Sequence, residues 1–132
     1  MNRIEAVAQE ITEHEGVCRI VFYVGEHSLA MVGLQPPAGF EKGGKVVLGI
    51  KATHLFLSLE KPRGSTLTNA LPVTIEAIDA GRVLAVVKMR FEATPMEAIV
   101  SVATLTPLNL SPGKQVYALL PESELAILEI VP

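Results

Sequence analysis

Short aliphatic and β-branched runs, each broken by Gly, Pro or charged residues, dominate the chain. In the first half they occupy residues 3–11, 17–24, 28–34, 45–50 and 54–59. Helical periodicity is weak throughout, and run lengths of this kind predict strands. The breaks are legible as turns: Glu15-Gly16, Val24-Gly25-Glu26, Gln35-Pro36-Pro37 and Lys42-Gly43-Gly44. The segment Lys61-Pro62-Arg63-Gly64-Ser65 combines Pro, Gly and charge and reads as a linker. Beyond it the plan repeats. Residues 69–78 lie over residues 2–11, Gly81 over Gly16, and residues 83–87 over residues 17–21. Pro112-Gly113-Lys114 then falls on Gly43-Gly44-Lys45, and residues 117–127 form the last pair of strands.

A duplication with a period near 68 residues is too long for a solenoid or a propeller blade. It predicts an all-β chain of two tandem five-stranded barrels: residues 1–60, a linker over 61–68, and residues 69–132. Closure has a physical motive, because short antiparallel strands leave edges that a barrel or a partner must cover. Two sheets of an ordinary sandwich would also accommodate such runs. A half-length fragment buries only about 60% of its unfolded surface, so the halves gain by packing together.

Composition narrows the function. Of the 132 residues 49% are hydrophobic but only 5% aromatic, and there is no Trp. A formal charge of −3 adds no attraction to nucleic acid or acidic membranes. A single-strand binder would show aromatics within a basic groove, so no nucleic-acid partner is expected. One cysteine, Cys18, excludes an intrachain disulfide and fits a reducing cytoplasm. No apolar run approaches the roughly 18 residues a membrane span needs, so no membrane insertion is expected. His14, His27 and His54 lack metal-site spacing, and Gly43-Gly44-Lys45 lacks the rest of a phosphate loop. No nucleophile, acid and base assemble into a catalytic set, so the chain is not expected to be an enzyme.

From Asn2-Arg3-Ile4 through Gly44-Lys45 to Lys51-Ala52-Thr53, the first half resembles the molybdenum-pterin-binding, or Mop, unit. That OB-like unit also occurs in the TOBE regions of molybdate transporter ATPases and in molybdate-responsive regulators. Its recurrent features are an opening Ser-Ala-Arg-Asn, a mid-unit Thr-x-x-Ser, a Gly-Lys turn and a closing Lys-Ala-Ser/Thr. The second half follows the same plan, so the resemblance covers nearly the whole chain, with the layout of a di-domain molbindin.

The two copies match unevenly. The first keeps Lys51, Ala52 and Thr53, but Gly33-Leu34-Gln35-Pro36-Pro37 carries no hydroxyls and the opening Ser and Arg are missing. The second has Thr66-Leu67-Thr68-Asn69 at its opening and the pair Ser101 and Thr104, but Pro121-Glu122-Ser123 stands where Lys-Ala-Ser would be. The resemblance implies that oxyanions bind where the closing motif of one unit meets the hydroxyls of another. Lys51, Ala52, Thr53, Ser101 and Thr104 then form one composite site, with Thr66 and Ser123 as further candidates. The reciprocal combination has no lysine and contains Glu122.

The chemistry suits molybdate or tungstate. Each is a tetrahedral dianion with acceptors only, so its site needs hydroxyls, backbone N–H groups and a cation. Two roles follow from the resemblance: cytoplasmic molybdate or tungstate storage, homeostasis or delivery, or a regulatory or dimerisation module associated with a molybdate transporter ATPase. Exposed strand edges and the apolar stretch over residues 125–131 point to a homo-oligomer. Taken without the resemblance, Lys51 and Thr53 read as an ordinary strand end, and Ser101 and Thr104 as caps of a helical turn before Pro107.

Overall fold

A computed structural model describes residues 1–132 and contains ten strands. In the first half these are β1 (Asn2–His14), β2 (Val17–Val24), β3 (His27–Leu34), β4 (Lys45–Ile50) and β5 (Phe56–Ser58). The second half contributes β6 (Ala70–Ala80), β7 (Leu84–Phe91), β8 (Thr94–Ser101), β9 (Gln115–Leu119) and β10 (Ala126–Val131). Strand side chains point alternately to the two faces, and the sequence exploits this. On β1 Ile4, Ala6 and Ala8 are buried while Arg3 and Glu5 face solvent. On β2 the inward set is Cys18, Ile20, Phe22 and Val24, and on β7 it is Ala85, Val87, Met89 and Phe91.

The strands form two five-stranded curled sheets of OB-like type, ordered β10-β4-β1-β2-β3 and β5-β9-β6-β7-β8. The units exchange their last strands. β10 pairs with β4 of the first unit, and β5 pairs with β9 of the second. Gly49 makes the first exchange possible. A Cβ there would lie 2.5 Å from Leu128 Cδ1, so the missing side chain lets the bulged part of β10 settle over β4.

The repeat is closer in space than in the sequence comparison, and one residue out of step with it. β2 begins at Val17 opposite Leu34, and β7 at Leu84, not Val83, opposite Ser101. The Gly turn shifts as well: Gly43 N–H donates to Ala8 O and Gly113 N–H to Ile75 O, each at 2.8 Å, so Gly113 is the counterpart of Gly43. Both first strands bulge at the same place, at Gln9 and at Glu76. The expected strand over residues 54–59 is shorter than predicted. Residues Ala52–His54 form a 3-10 turn, closed by His54 N–H donating to Lys51 O at 2.9 Å, and the buried Leu55 anchors its exit.

One core of 27 buried residues runs through both units. Phe22, with no exposed surface, is among its largest side chains. Replacing it with Ala is expected to cost about 3–5 kcal/mol. Because the core is continuous and strands are exchanged, urea denaturation followed by circular dichroism should show one transition moved to lower urea. A curve with half the signal lost early and half retained would contradict a shared core.

Candidate functional site

Each unit ends its fourth strand in a 3-10 turn laid on the other unit. The first turn, Ala52–His54, follows Lys51 and packs on β8; the second, Glu122–Glu124, packs on β3. Lys51 and Thr53 are exposed and Ala52 is half-buried. The ion pairs of the chain are Arg3–Glu129, His14–Glu15, Arg19–Glu122, His54–Glu124 and Arg90–Glu76, and none engages Lys51. Its ammonium is therefore available to an anion from outside the chain.

The strand that receives this first turn ends in Ser101. There the chain enters the short helix α1 (Val102–Leu105), with Ser101 as its N-cap. Thr104 N–H donates to Ser101 Oγ at 3.3 Å, Thr104 Oγ1 donates to Ser101 O at 3.1 Å, and the two hydroxyl oxygens are 2.7 Å apart. The cap reading of these residues is thus correct, and it organises a hydroxyl pair. With Thr104 Oγ1 donating to the carbonyl, the Ser101 hydroxyl hydrogen lies between the two oxygens; turned outward to an anion it gives up that bond but keeps the cap, which Ser101 Oγ accepts from Thr104 N–H.

No hydrogen bond joins Lys51 or Thr53 to Ser101 or Thr104 within the chain. A cleft of about 480 Å³ opens beside the first turn, lined by Asn2, Ala52, Pro95, Met96 and Glu97 among others, and of the predicted residues only Ala52 reaches it. Thr66 lies exposed in the segment before β6, and Ser123 is exposed on the second turn.

The second turn has a different chemistry. Glu122, at the position Ala52 holds in the first turn, accepts from Arg19 Nε at 2.8 Å and Arg19 Nη2 at 3.3 Å. Arg19 sits on β2 opposite Val32, where the repeat places Val86 in the second unit. The hydrogen bond to Glu122 pushes the Arg19 guanidinium above its ordinary range, so it stays charged and its charge is met from within the chain. His54 Nδ1 lies 3.2 Å from Glu124 Oε2, so the last residues of the two turns touch.

Two residues of structural consequence were not assigned a role from the sequence. Asn2 and Asn69 are the only buried polar residues, and each reaches across to the opposite unit. Asn2 brackets the backbone of Glu97 on β8, and Asn69 that of Ala30 on β3. Their signal was present: the same residue opens both repeats.

Cys18 is a core residue. Its thiol donates to Leu34 O at 2.9 Å. Burial pushes it up from the ordinary range, the Glu13 carboxylate adds to the rise, and a backbone hydrogen bond at Gly33 opposes it. The reactive thiolate is therefore scarce at neutral pH. Iodoacetamide should label Cys18 slowly in the folded protein and readily in urea; equal rates would contradict its burial.

The TOBE domain family matches residues 65–127. That match takes in most of the second unit and the segment leading into it. Over 117 residues the chain is 28% identical to the molybdenum import ATP-binding protein ModC 1 of Azotobacter vinelandii, matching 87% of this chain and 31% of that protein. It thus spans less than a third of that relative. The crystal structure of the cytoplasmic molybdate-binding protein ModG, in a form with molybdate bound, superposes with a TM-score of 0.88 at 23% identity. It covers 99% of this chain and 96% of that one, so both units share the whole two-unit fold of ModG. The resemblance to the Mop and TOBE family is supported in the second half by the family match, and the fold is shared with ModG over both halves. No helix is long and apolar enough to cross a membrane.

Proposed function

We propose that this chain binds molybdate or tungstate in the cytoplasm, for storage, homeostasis or delivery, with Lys51, Ala52, Thr53, Ser101 and Thr104 as its ligands. The observation that carries the reading is the asymmetry of the two turns. The turn with a lysine and no acid leaves its cation unpaired, and it packs on the strand that ends in a hydroxyl pair. A lysine ammonium, two hydroxyls and backbone N–H groups are donors without competing acceptor charge, as an acceptor-only dianion requires. The whole-chain likeness to ModG, a molybdate-binding protein, supports the same ligand.

Because Lys51 and Thr53 make no bond to Ser101 or Thr104 in one chain, the site closes between copies. A 14.1 kDa monomer typically exposes about 6,700 Å². This chain exposes 7891 Å². The excess includes Val17, Leu34, Val83 and Leu84 at the hairpin ends and Ile130 and Val131 on the outer strand β10, the kind of surface a second copy covers. Light scattering should report a homo-oligomer, and a monomer at micromolar concentration would leave the composite site without its second half. The reciprocal site, to which Ser123 and Thr66 would contribute, is silenced by the Arg19–Glu122 pair. Glu122→Ala should therefore leave the affinity of the lysine site no weaker.

A second reading is favoured by the match to an import ATP-binding protein and by the loss of one site: a regulatory or dimerisation module associated with a molybdate transporter ATPase. Calorimetric titration with oxyanions separates the two. Saturable heat supports anion binding, and its absence supports a purely structural module.

A further inference from the structure

We propose that Asn2 is a positioning residue for the anion site, acting through the backbone it ties together, whereas its counterpart Asn69 only joins the units; this rests on the oxyanion reading given above. The two carboxamides look alike at first. Asn69 Nδ2 donates to Ala30 O at 2.8 Å and its Oδ1 accepts from Ala30 N–H at 2.8 Å. Asn2 Nδ2 donates to Glu97 O at 2.9 Å and its Oδ1 accepts from Glu97 N–H at 2.7 Å. Each side chain thus acts like one more rung of a β-ladder, docking a first strand onto the third strand of the other unit.

Asn2 then does something Asn69 does not. Its carboxamide also donates to Ile50 O at 3.3 Å. A carboxamide nitrogen carries two hydrogens, and here each has its own acceptor. Ile50 is the residue before Lys51, and Glu97 lies on the strand that ends at Ser101. One rigid, buried group therefore fixes the start of the Lys51-Ala52-Thr53 turn on its own chain, so that the lysine, the turn N–H groups and Thr53 meet the anion at a set spacing while the hydroxyl pair comes from a second copy. Asn69 donates nothing to the carbonyl of Leu120, the matching residue before the second turn; only its backbone oxygen meets Leu120 N–H, at 3.1 Å. The third bond occurs where the chain keeps a lysine and is missing where it has Glu122. An anion site needs its donors held at fixed spacing before the ligand arrives, because ordering them afterwards subtracts from affinity.

The quasi-equivalent pair supplies an internal control. Asn2→Ala and Asn69→Ala each remove two inter-unit bonds, so both should lower the melting temperature, Asn2→Ala somewhat more because it also loses the bond to Ile50 O. Only Asn2→Ala should weaken molybdate binding, by about tenfold in calorimetric Kd, while Asn69→Ala stays within about twofold of the parent protein. If Asn2→Ala does not fold, Asn2→Asp keeps the acceptor for Glu97 N–H, loses both donated bonds and is compared with Asn69→Asp. Equal weakening by the two positions, or no weakening at either, overturns the positioning role while leaving the oxyanion reading in place. A parent protein that binds no oxyanion overturns both.

Discussion

Lys51→Ala is expected to remove most of the molybdate affinity while leaving the fold intact. Lys51 is exposed and unpaired, so its loss breaks no contact within the chain. A hydrogen bond to a charged partner is worth about 1.5–3 kcal/mol net. That corresponds to roughly a tenfold to hundredfold rise in Kd. The melting temperature in the absence of ligand should not move. Unchanged affinity would mean the site is elsewhere, and a matching fall in stability would mean Lys51 has a structural role that its exposure does not suggest.

Deleting residues 126–132 is expected to damage the first unit, although those residues belong to the second half of the sequence. β10 pairs with β4 through Ala126, Ile127, Glu129, Ile130 and Val131, and Glu129 also pairs with Arg3 on β1. Ile127 packs against the core and Leu128 covers Gly49. Losing several ladder bonds at about 1 kcal/mol each, with the apolar contacts, should cost on the order of 3–5 kcal/mol. Hydrogen exchange distinguishes exchanged strands from self-contained units. Amides of β4 should lose protection first, while those of β6 and β7 stay slow. Faster exchange in β9 instead would show that β10 closes its own unit.

Much of this fold could be read before the structure. Strand runs, Gly turns and the repeat follow from local chemistry: Gly43 adopts a positive φ of 88° and Gly113 one of 91°, in turns that close onto equivalent first strands. The one-residue offsets were not legible. A register is fixed by pairing across strands, and Val83 and Leu84 are equally apolar candidates for the first rung. Strand exchange was hidden for a related reason. The pattern of Phe56–Ser58 and Ala126–Val131 indicates short half-buried strands without naming the sheet each joins.

The candidate site was legible in its parts. Ser101 and Thr104 are brought together, in the cap that their spacing suggested, and Lys51-Ala52-Thr53 forms one turn against the strand they end. What joins these parts was not visible, because a buried Asn at the start of a strand looks like any polar flank until its partners are known. Glu122 was legible as a misfit at an anion site. Its partner Arg19, 103 residues away in sequence, was not.

Calorimetric titration of the protein, first freed of bound anions, with molybdate, tungstate and sulfate decides whether the lysine turn binds an oxyanion. Saturable heat with molybdate or tungstate, lost in Lys51→Ala and retained in Glu122→Ala, is the expected result. Neither heat nor a thermal shift with any of the three anions at millimolar concentration would contradict it.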